Sequence, residues 1–261
     1  MGTLLEKTFE EKKAFVSAFN VIDDTFFHKI VEDRGVCEEI LRVIIGDPAI
    51  KVIESRPQVS LRNTASKSVV LDVLCEDESG RRYNVEVQKR DNDDHIKRAR
   101  YNLSNIDTMF TEKGIDYRAL PDVYIIFITK FDIFKMGKTV YHINRIVDGT
   151  KLLASNGTYE IYVNATGNDN SEVTELMRYF LNSEGECNKF PRLSQRVDFF
   201  KNIKEGINEM CEISDRLKAE GKAAGKAEMK LEIAKVMAEA GENIEKIMQF
   251  TGLTKAQIEA L

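Results

Sequence analysis

The spacing of apolar and polar positions changes several times along the chain, and each change marks an element. From Asp23 to Ile45 apolar residues recur every three or four positions. This predicts two amphipathic helices with a break near Gly35, closed by Gly46, Asp47 and Pro48. "AIKVIESRPQVSLR" reads as extended chain. "SVVLDVLCEDESGRRYNVEVQK" alternates with a period of two on both sides of "DESG", a short loop with glycine near its end, and predicts a hairpin. "DNDDHIKRARYNLSNIDTMFTEKG" predicts a helix. Asp91, Asn92, Asp93 and Asp94 offer N-caps and first-turn acids, Gly114 offers the stop, and Ile96, Ala99, Leu103, Ile106 and Phe110 form the apolar stripe. "PDVYIIFITKFD" is a continuous apolar run, which suits a strand covered on both faces. "TVYHINRIVD" and "TYEIYVNATG" predict two more strands. "SEVTELMRYFLNS" predicts a helix that starts on a loose capping box at Ser171, Thr174 and Glu175.

From about Leu193 the pattern is helical and highly charged. "DRLKAEGKAAGKAEMKLEIAKVMAEAG" is rich in Ala, Glu and Lys, a composition of long solvated helices or coiled coil. Gly221 and Gly225 weaken it locally. Its heptads are not sustained over three or four repeats, which argues against a long coiled coil. "ENIEKIMQFTGLTKAQIEAL" predicts two short helices around "TGLT", with Thr254 as the N-cap of the last. The order of elements is that of a mixed α/β domain, residues 1–190, followed by a helical tail, residues 191–261.

Composition narrows the class. With 261 residues, 43% of them apolar and 31% charged, the chain is long enough for a sizeable core and reads as globular. No stretch approaches the roughly 20 apolar residues that span a bilayer. The charged start "MGTLLEKTFEEKKAF" is unlike a secretory signal, and "MGTLLE" lacks Ser or Thr at its sixth position for myristoylation. Cys37, Cys75, Cys187 and Cys211 are scattered without a CxxC pair, and His28, His95 and His142 are equally dispersed. That argues against a structural zinc site and for reduced thiols in a cytoplasm. The net charge of −5 excludes binding to nucleic acid by overall basicity, and leaves a local basic stripe or a cation at the site as the routes open.

The hairpin carries the candidate chemistry. Alternation sets Tyr83, Val85 and Val87 with Leu71, Val73 and Cys75 on an apolar face. Asn84, Glu86 and Gln88 share the other face with Asp72. Closing the turn around "DESG" brings Asp72 opposite Glu86, and directly opposed side chains lie about 4.5–5.5 Å apart at Cβ. Two carboxylates that close repel unless something positive lies between them, and a divalent cation with oxygen ligands is an obvious guest. The other reading is a solvated sheet face whose acids are neutralised by Lys67, Arg81 or Arg82. The residues alone leave both open.

"LDVLCEDESGRRYNVEVQKRD" followed by "KRARYNLS" resembles the PD-(D/E)XK nuclease superfamily, and within it the branch of PD-(D/E)XK nuclease family transposases, or recombination-promoting nucleases. "DDTFFHKIVED" and the Gly-Leu-Thr of the tail resemble the same branch, so the resemblance extends over most of the chain. It implies an α/β, restriction-endonuclease-like core (helix, three strands, helix, strand) with extra strands and a helical C-terminal tail. It also implies a Mg²⁺-dependent DNA endonuclease, with Mn²⁺ as an alternative, linked to recombination or transposition. DNA is the implied partner, with no membrane involved.

Carried over by resemblance, Asp72 and Glu86 are catalytic acids and metal ligands, and the main-chain carbonyl of Val87 is a third ligand. Gln88 stands where the superfamily's final lysine does, and Glu-x-Gln is a usual form in this branch. The "VVL" before Asp72 lacks the motif's proline. Arg98, Tyr101 and Ser104 match a pattern in the following helix and share one helix face; Arg98 and Tyr101 are the implied substrate-binding residues. Arg98 has a competing reading as the ion-pair partner of Asp94 one turn away. Arg90, Lys97, Arg98 and Arg100 together outline a basic edge, whereas alternation turns Lys89 to the opposite face. Two other functions stay open: a catalytically weak or inactive DNA-binding protein with a nuclease fold, and a homodimer built on the C-terminal helices. The second is compatible with cleavage.

Overall fold

The computed structural model describes residues 3–61, 69–111 and 114–261. The chain divides into two compact units, residues 13–207 and residues 1–12 with 208–261. Its helices are α1 (Phe9–Ser17), α2 (Asp24–Ile30), α3 (Arg34–Ile45), α4 (His95–Phe110), α5 (Glu172–Leu181), α6 (Pro191–Asn202), α7 (Lys204–Glu239), α8 (Ile244–Thr251) and α9 (Lys255–Glu259). Its strands are β1 (Val52–Leu61), β2 (Val69–Asp77), β3 (Arg82–Gln88), β4 (Val123–Thr129), β5 (Val140–Ile143) and β6 (Thr158–Asn164).

The strands of the larger unit form one sheet in the order β1-β2-β3-β4-β6-β5. β3, β4 and β6 are parallel neighbours, and the other pairs are antiparallel. A parallel step from β3 to β4 needs a crossover, and α4 supplies it. The succession α3, β1, β2, β3, α4, β4 is the restriction-endonuclease-like core. β5 and β6 are the extra strands, and the C-terminal helices form the tail. The apolar run of β4 is covered on both faces, as its composition requires.

The helix break before the sheet falls earlier than Gly35. α2 ends at Ile30, and Asp33 caps α3 by accepting the main-chain N–H groups of Gly35 and Val36. An aspartate that satisfies those orphan donors restarts the helix, so Gly35 lies inside its first turn. At the other end Gly46 closes α3 in the left-handed conformation (φ 75°), which a glycine adopts without a Cβ clash.

The β2–β3 hairpin pairs Val73 with Val85, Leu74 with Asn84, Cys75 with Tyr83 and Glu76 with Arg82. Its turn is organised by the buried carboxylate of Asp77. One oxygen accepts the N–H of Ser79, the hydroxyl of Ser79 and the N–H of Arg81; the other accepts Arg81 Nε and the hydroxyl of Tyr83. Burial raises the pKa of Asp77, but the bonds from Ser79, Tyr83 and Arg81 outweigh it and leave it below the usual value.

α4 covers one face of the sheet. Ala99 and Ile106 pack with Leu71, Leu74, Ile125, Phe127 and Tyr162. Cys75, of opposite parity to Leu74, lies with Ser55 and Cys37 of α3. Leu71 packs with the α4 cluster, not with the face of Val73 and Cys75 that alternation assigned to it. The expected stripe of α4 packs on this cluster through Ala99, Leu103, Ile106 and Phe110, with one exception. Ile96 is exposed, and the buried line runs His95, Ala99, Asn102, Ile106. Two of those four are polar, so a count of apolar residues alone finds the stripe but not His95 and Asn102.

In the smaller unit α7 runs without interruption through Gly221 and Gly225. Ala234 of α7, Ile247 of α8 and Ile258 of α9 bury one another in a small cluster with Met237, Ile244 and Leu253. Thr254 caps α9 in a full capping box with Gln257. Among the described residues no helix is long and apolar enough to cross a membrane.

Candidate metal centre

The hairpin ladder ends at the pair Val73–Val85. One residue further on, β2 stays with β1 and β3 stays with β4, so the two strands part. Side chains bridge the opening. The N–H of Asp72 donates to Glu86 Oε1 at 3.3 Å, and the N–H of Val87 donates to Asp72 Oδ2 at 2.8 Å. Asp72 and Glu86 therefore meet, as the closure of the turn requires, and each is held by the other strand's backbone.

α2 adds two residues from outside the motif. His28 Nε2 lies 3.6 Å from Asp72 Oδ1 and 3.6 Å from Oδ1 of Asp24, its neighbour one helical turn away. The other ring nitrogen, Nδ1, is 3.1 Å from the side-chain amide of Gln58 on β1. Nε2 is buried without a hydrogen-bond partner. Burial pulls the imidazole pKa down, but the nearby carboxylate of Asp72, with the charges of Asp24 and Glu86, outweighs it and leaves it raised. Ligand atoms of Asp24, His28 and Asp72 all fall within 4.8 Å of one another. A buried imidazole nitrogen without a partner, facing two carboxylates, is a donor set into which a divalent cation fits.

Glu86 is fully buried on the α4 side. Its Oε1 accepts from Asn84 Nδ2 at 2.9 Å and from Asn102 Nδ2 at 3.2 Å, and its Oε2 lies 3.4 Å from Arg98 Nη2. Asn102 Nδ2 also reaches Asn84 Oδ1 at 3.1 Å. Desolvation first, and then the charge of Asp72, push the Glu86 carboxyl up to about 8, although Asn84 and Arg98 pull the other way. Burial thus favours the protonated form of Glu86.

The remaining residues singled out in the sequence fall as follows. Arg98 reaches Glu86 in place of Asp94, with its guanidinium 5.8 Å from the centre of the Phe127 ring. Tyr101 is half-buried, and Ser104 is exposed with its hydroxyl on the main-chain oxygen of Arg100. From α4, Arg98 and Asn102 contact Glu86. Val87 is buried. Gln88 is half-buried at the end of β3, where its main-chain oxygen accepts the N–H of Lys130. Lys89 pairs with Asp23, the residue that precedes α2. Arg90, Lys97 and Arg100 are exposed.

Neither arginine of the turn neutralises the acid pair. Arg81 is engaged by Asp77 and Asp47; Arg82 pairs with Glu76 and stacks over Phe110. Lys67 lies outside the described residues.

Sequence reasoning missed Asp24, His28, Gln58 and Asn102. The i,i+4 spacing of an aspartate and a histidine in "DDTFFHKIVED" was the available signal for the first two. Nothing comparable marks the others.

No curated protein and no solved structure matches the chain. The family match is shorter than the span of the sequence resemblance. It covers the hairpin, Asp72, Glu86, Gln88 and α4, and it leaves out α2 with Asp24 and His28. Residues 38–155 match the model described as PD-(D/E)XK nuclease family transposase, so that this part of the chain is similar to that family.

Proposed function

We propose that this chain is a metal-dependent DNA endonuclease that hydrolyses phosphodiester bonds. The observation that carries this reading is the meeting of Asp72 and Glu86 where β2 and β3 part, with the unpartnered Nε2 of His28 facing the same point. Asp72, His28 and Asp24 would hold the cation, with Glu86 and the carbonyl of Val87 available beside them. An imidazole among carboxylates suits Mn²⁺ better than Mg²⁺, which prefers oxygen ligands throughout. When bound, such a cation polarises a phosphoryl oxygen and lowers the pKa of water.

The protein's own groups take the other roles. Glu86 loses its proton as a cation binds and becomes available as a ligand or base. Gln88 hydrogen-bonds and orients the attacking water; unlike a lysine, it brings no positive charge. Arg98 offers the planar fork that suits a phosphate oxygen, and Tyr101 lines its approach. Arg90, Lys97 and Arg100 supply exposed positive charge along the backbone path of the DNA. Residues 1–190 would be the nuclease-like domain, and residues 191–261 a tail through which two copies associate to cut both strands.

Plasmid cleavage with Mg²⁺ or Mn²⁺ tests this, with EDTA as control and Asp72→Ala and Glu86→Ala beside the wild type. The expected result is nicked or linear DNA from wild type alone. Equal behaviour of wild type and folded variants sinks the catalytic reading. Retained DNA binding in that case would leave a binding protein on a nuclease fold.

A further inference from the structure

Among the described residues with positive φ other than glycine, Gln58 alone lies inside a strand, at φ 52°. A side chain with a Cβ adopts this conformation at a cost, and such strain concentrates where a site needs it. β1 pairs Pro57 with Val73 and Val59 with Leu71, so Gln58 stands across from Asp72. Its side chain is solvent-exposed, yet the amide reaches the buried ring of His28, with Nε2 3.1 Å from Nδ1. The backbone distortion and the side-chain contact thus converge on one candidate ligand.

The contact decides where the imidazole proton sits. When the Gln58 NH₂ donates to Nδ1, the ring carries its proton on Nε2, which then points between Asp24 and Asp72. That tautomer has no lone pair for a cation on Nε2. Ligation through Nε2 requires the proton on Nδ1, and then the partner at Nδ1 must accept. A half-turn of the Gln58 amide puts its oxygen in the same place. We propose that Gln58 is a positioning residue of the metal centre: its amide selects the His28 tautomer and turns over when a divalent cation binds. The proposal rests on the metal-centre reading above.

The test uses the full chain, with Mn²⁺ alone as the probe in calorimetric titrations. Wild type is compared with Gln58→Met, Gln58→Gly, Gln58→Glu and Asp72→Ala. Methionine and glycine remove the acceptor and should weaken Mn²⁺ binding about tenfold or more, the usual effect of losing a residue that orients a ligand. Glutamate can only accept from Nδ1, so it should bind at least as tightly as wild type. The glycine variant should melt no lower than wild type, since glycine accepts the positive φ. Nitrogen-15 spectra of the neutral ring, recorded at a pH above its titration, should place the His28 proton on Nε2 in metal-free wild type and on Nδ1 in Gln58→Glu. If Asp72→Ala abolishes binding while Gln58→Met stays within twofold of wild type, Gln58 has no positioning role and the metal centre stands. If Asp72→Ala binds like wild type, the metal-centre reading fails and this proposal falls with it.

Discussion

Replacing Glu86 with glutamine should stabilise the metal-free protein at neutral pH. The carboxyl is fully buried and pushed up to about 8 in the folded chain, against 4.5 as its ordinary value. A carboxyl raised in this way contributes nothing unfavourable while it is protonated in both states. Its cost begins as pH rises past the unfolded value and grows until the folded value is reached. The window is therefore pH 4.5 to about 8. At about 1.4 kcal/mol per pH unit, the cost at pH 7 is on the order of 3 kcal/mol. Glutamine keeps an acceptor oxygen for Asn84, Asn102 and the N–H of Asp72. Its NH₂ replaces only the oxygen that faces Arg98, whose partly exposed guanidinium can turn to water.

Thermal melts of EDTA-treated wild type and Glu86→Gln across pH 4 to 8.5 would measure the difference. The two should nearly coincide at the acid end and diverge as pH rises, with the variant melting higher by roughly 2–4 °C for each kcal/mol. The charge of Glu86 also helps to raise the His28 pKa, so the difference between the two proteins includes that coupling. A wild type that tracks the variant at every pH would refute the argument, because Glu86 would then ionise like an exposed glutamate.

Two further substitutions probe the hydrogen-bond frame around the acids. Asn102→Leu leaves Asn84 Oδ1 and Glu86 Oε1 each short of a donor and should cost about 1–3 kcal/mol in urea unfolding. An unchanged midpoint would show that α4 does not hold Glu86. Asp77→Asn keeps one acceptor but loses the oxygen that receives Arg81 Nε and the Tyr83 hydroxyl, for a loss on the order of 2–3 kcal/mol at pH 7. Because the Asp77 pKa is lowered from 3.8, its contribution is present above that value and disappears as pH falls through the folded value. Melts between pH 2 and 5 should slope for wild type, and the slope due to Asp77 should vanish in the variant.

The elements of this chain were legible because their signals are local. Period-two alternation on both sides of "DESG" set the hairpin, and its register brought Asp72 to Glu86 through nothing more than the closure of a short turn. The apolar run of β4 announced a strand covered on both faces, and Thr254 announced the last helix. The surroundings of the acids were not legible in this way. His28 and Gln58 reach Asp72 from a helix and a strand distant in sequence, through packing that no spacing rule encodes. The buried face of α4 turned on Asn102, whose polarity argues for solvent until Asn84 and Glu86 are seen beneath it. A glutamine in a strand looks ordinary, and its positive φ belongs to the backbone that the assembled sheet imposes. Burial likewise exists only once the sheet and α4 have closed over Glu86. It is burial, more than the identity of the residue, that raises this carboxyl toward 8.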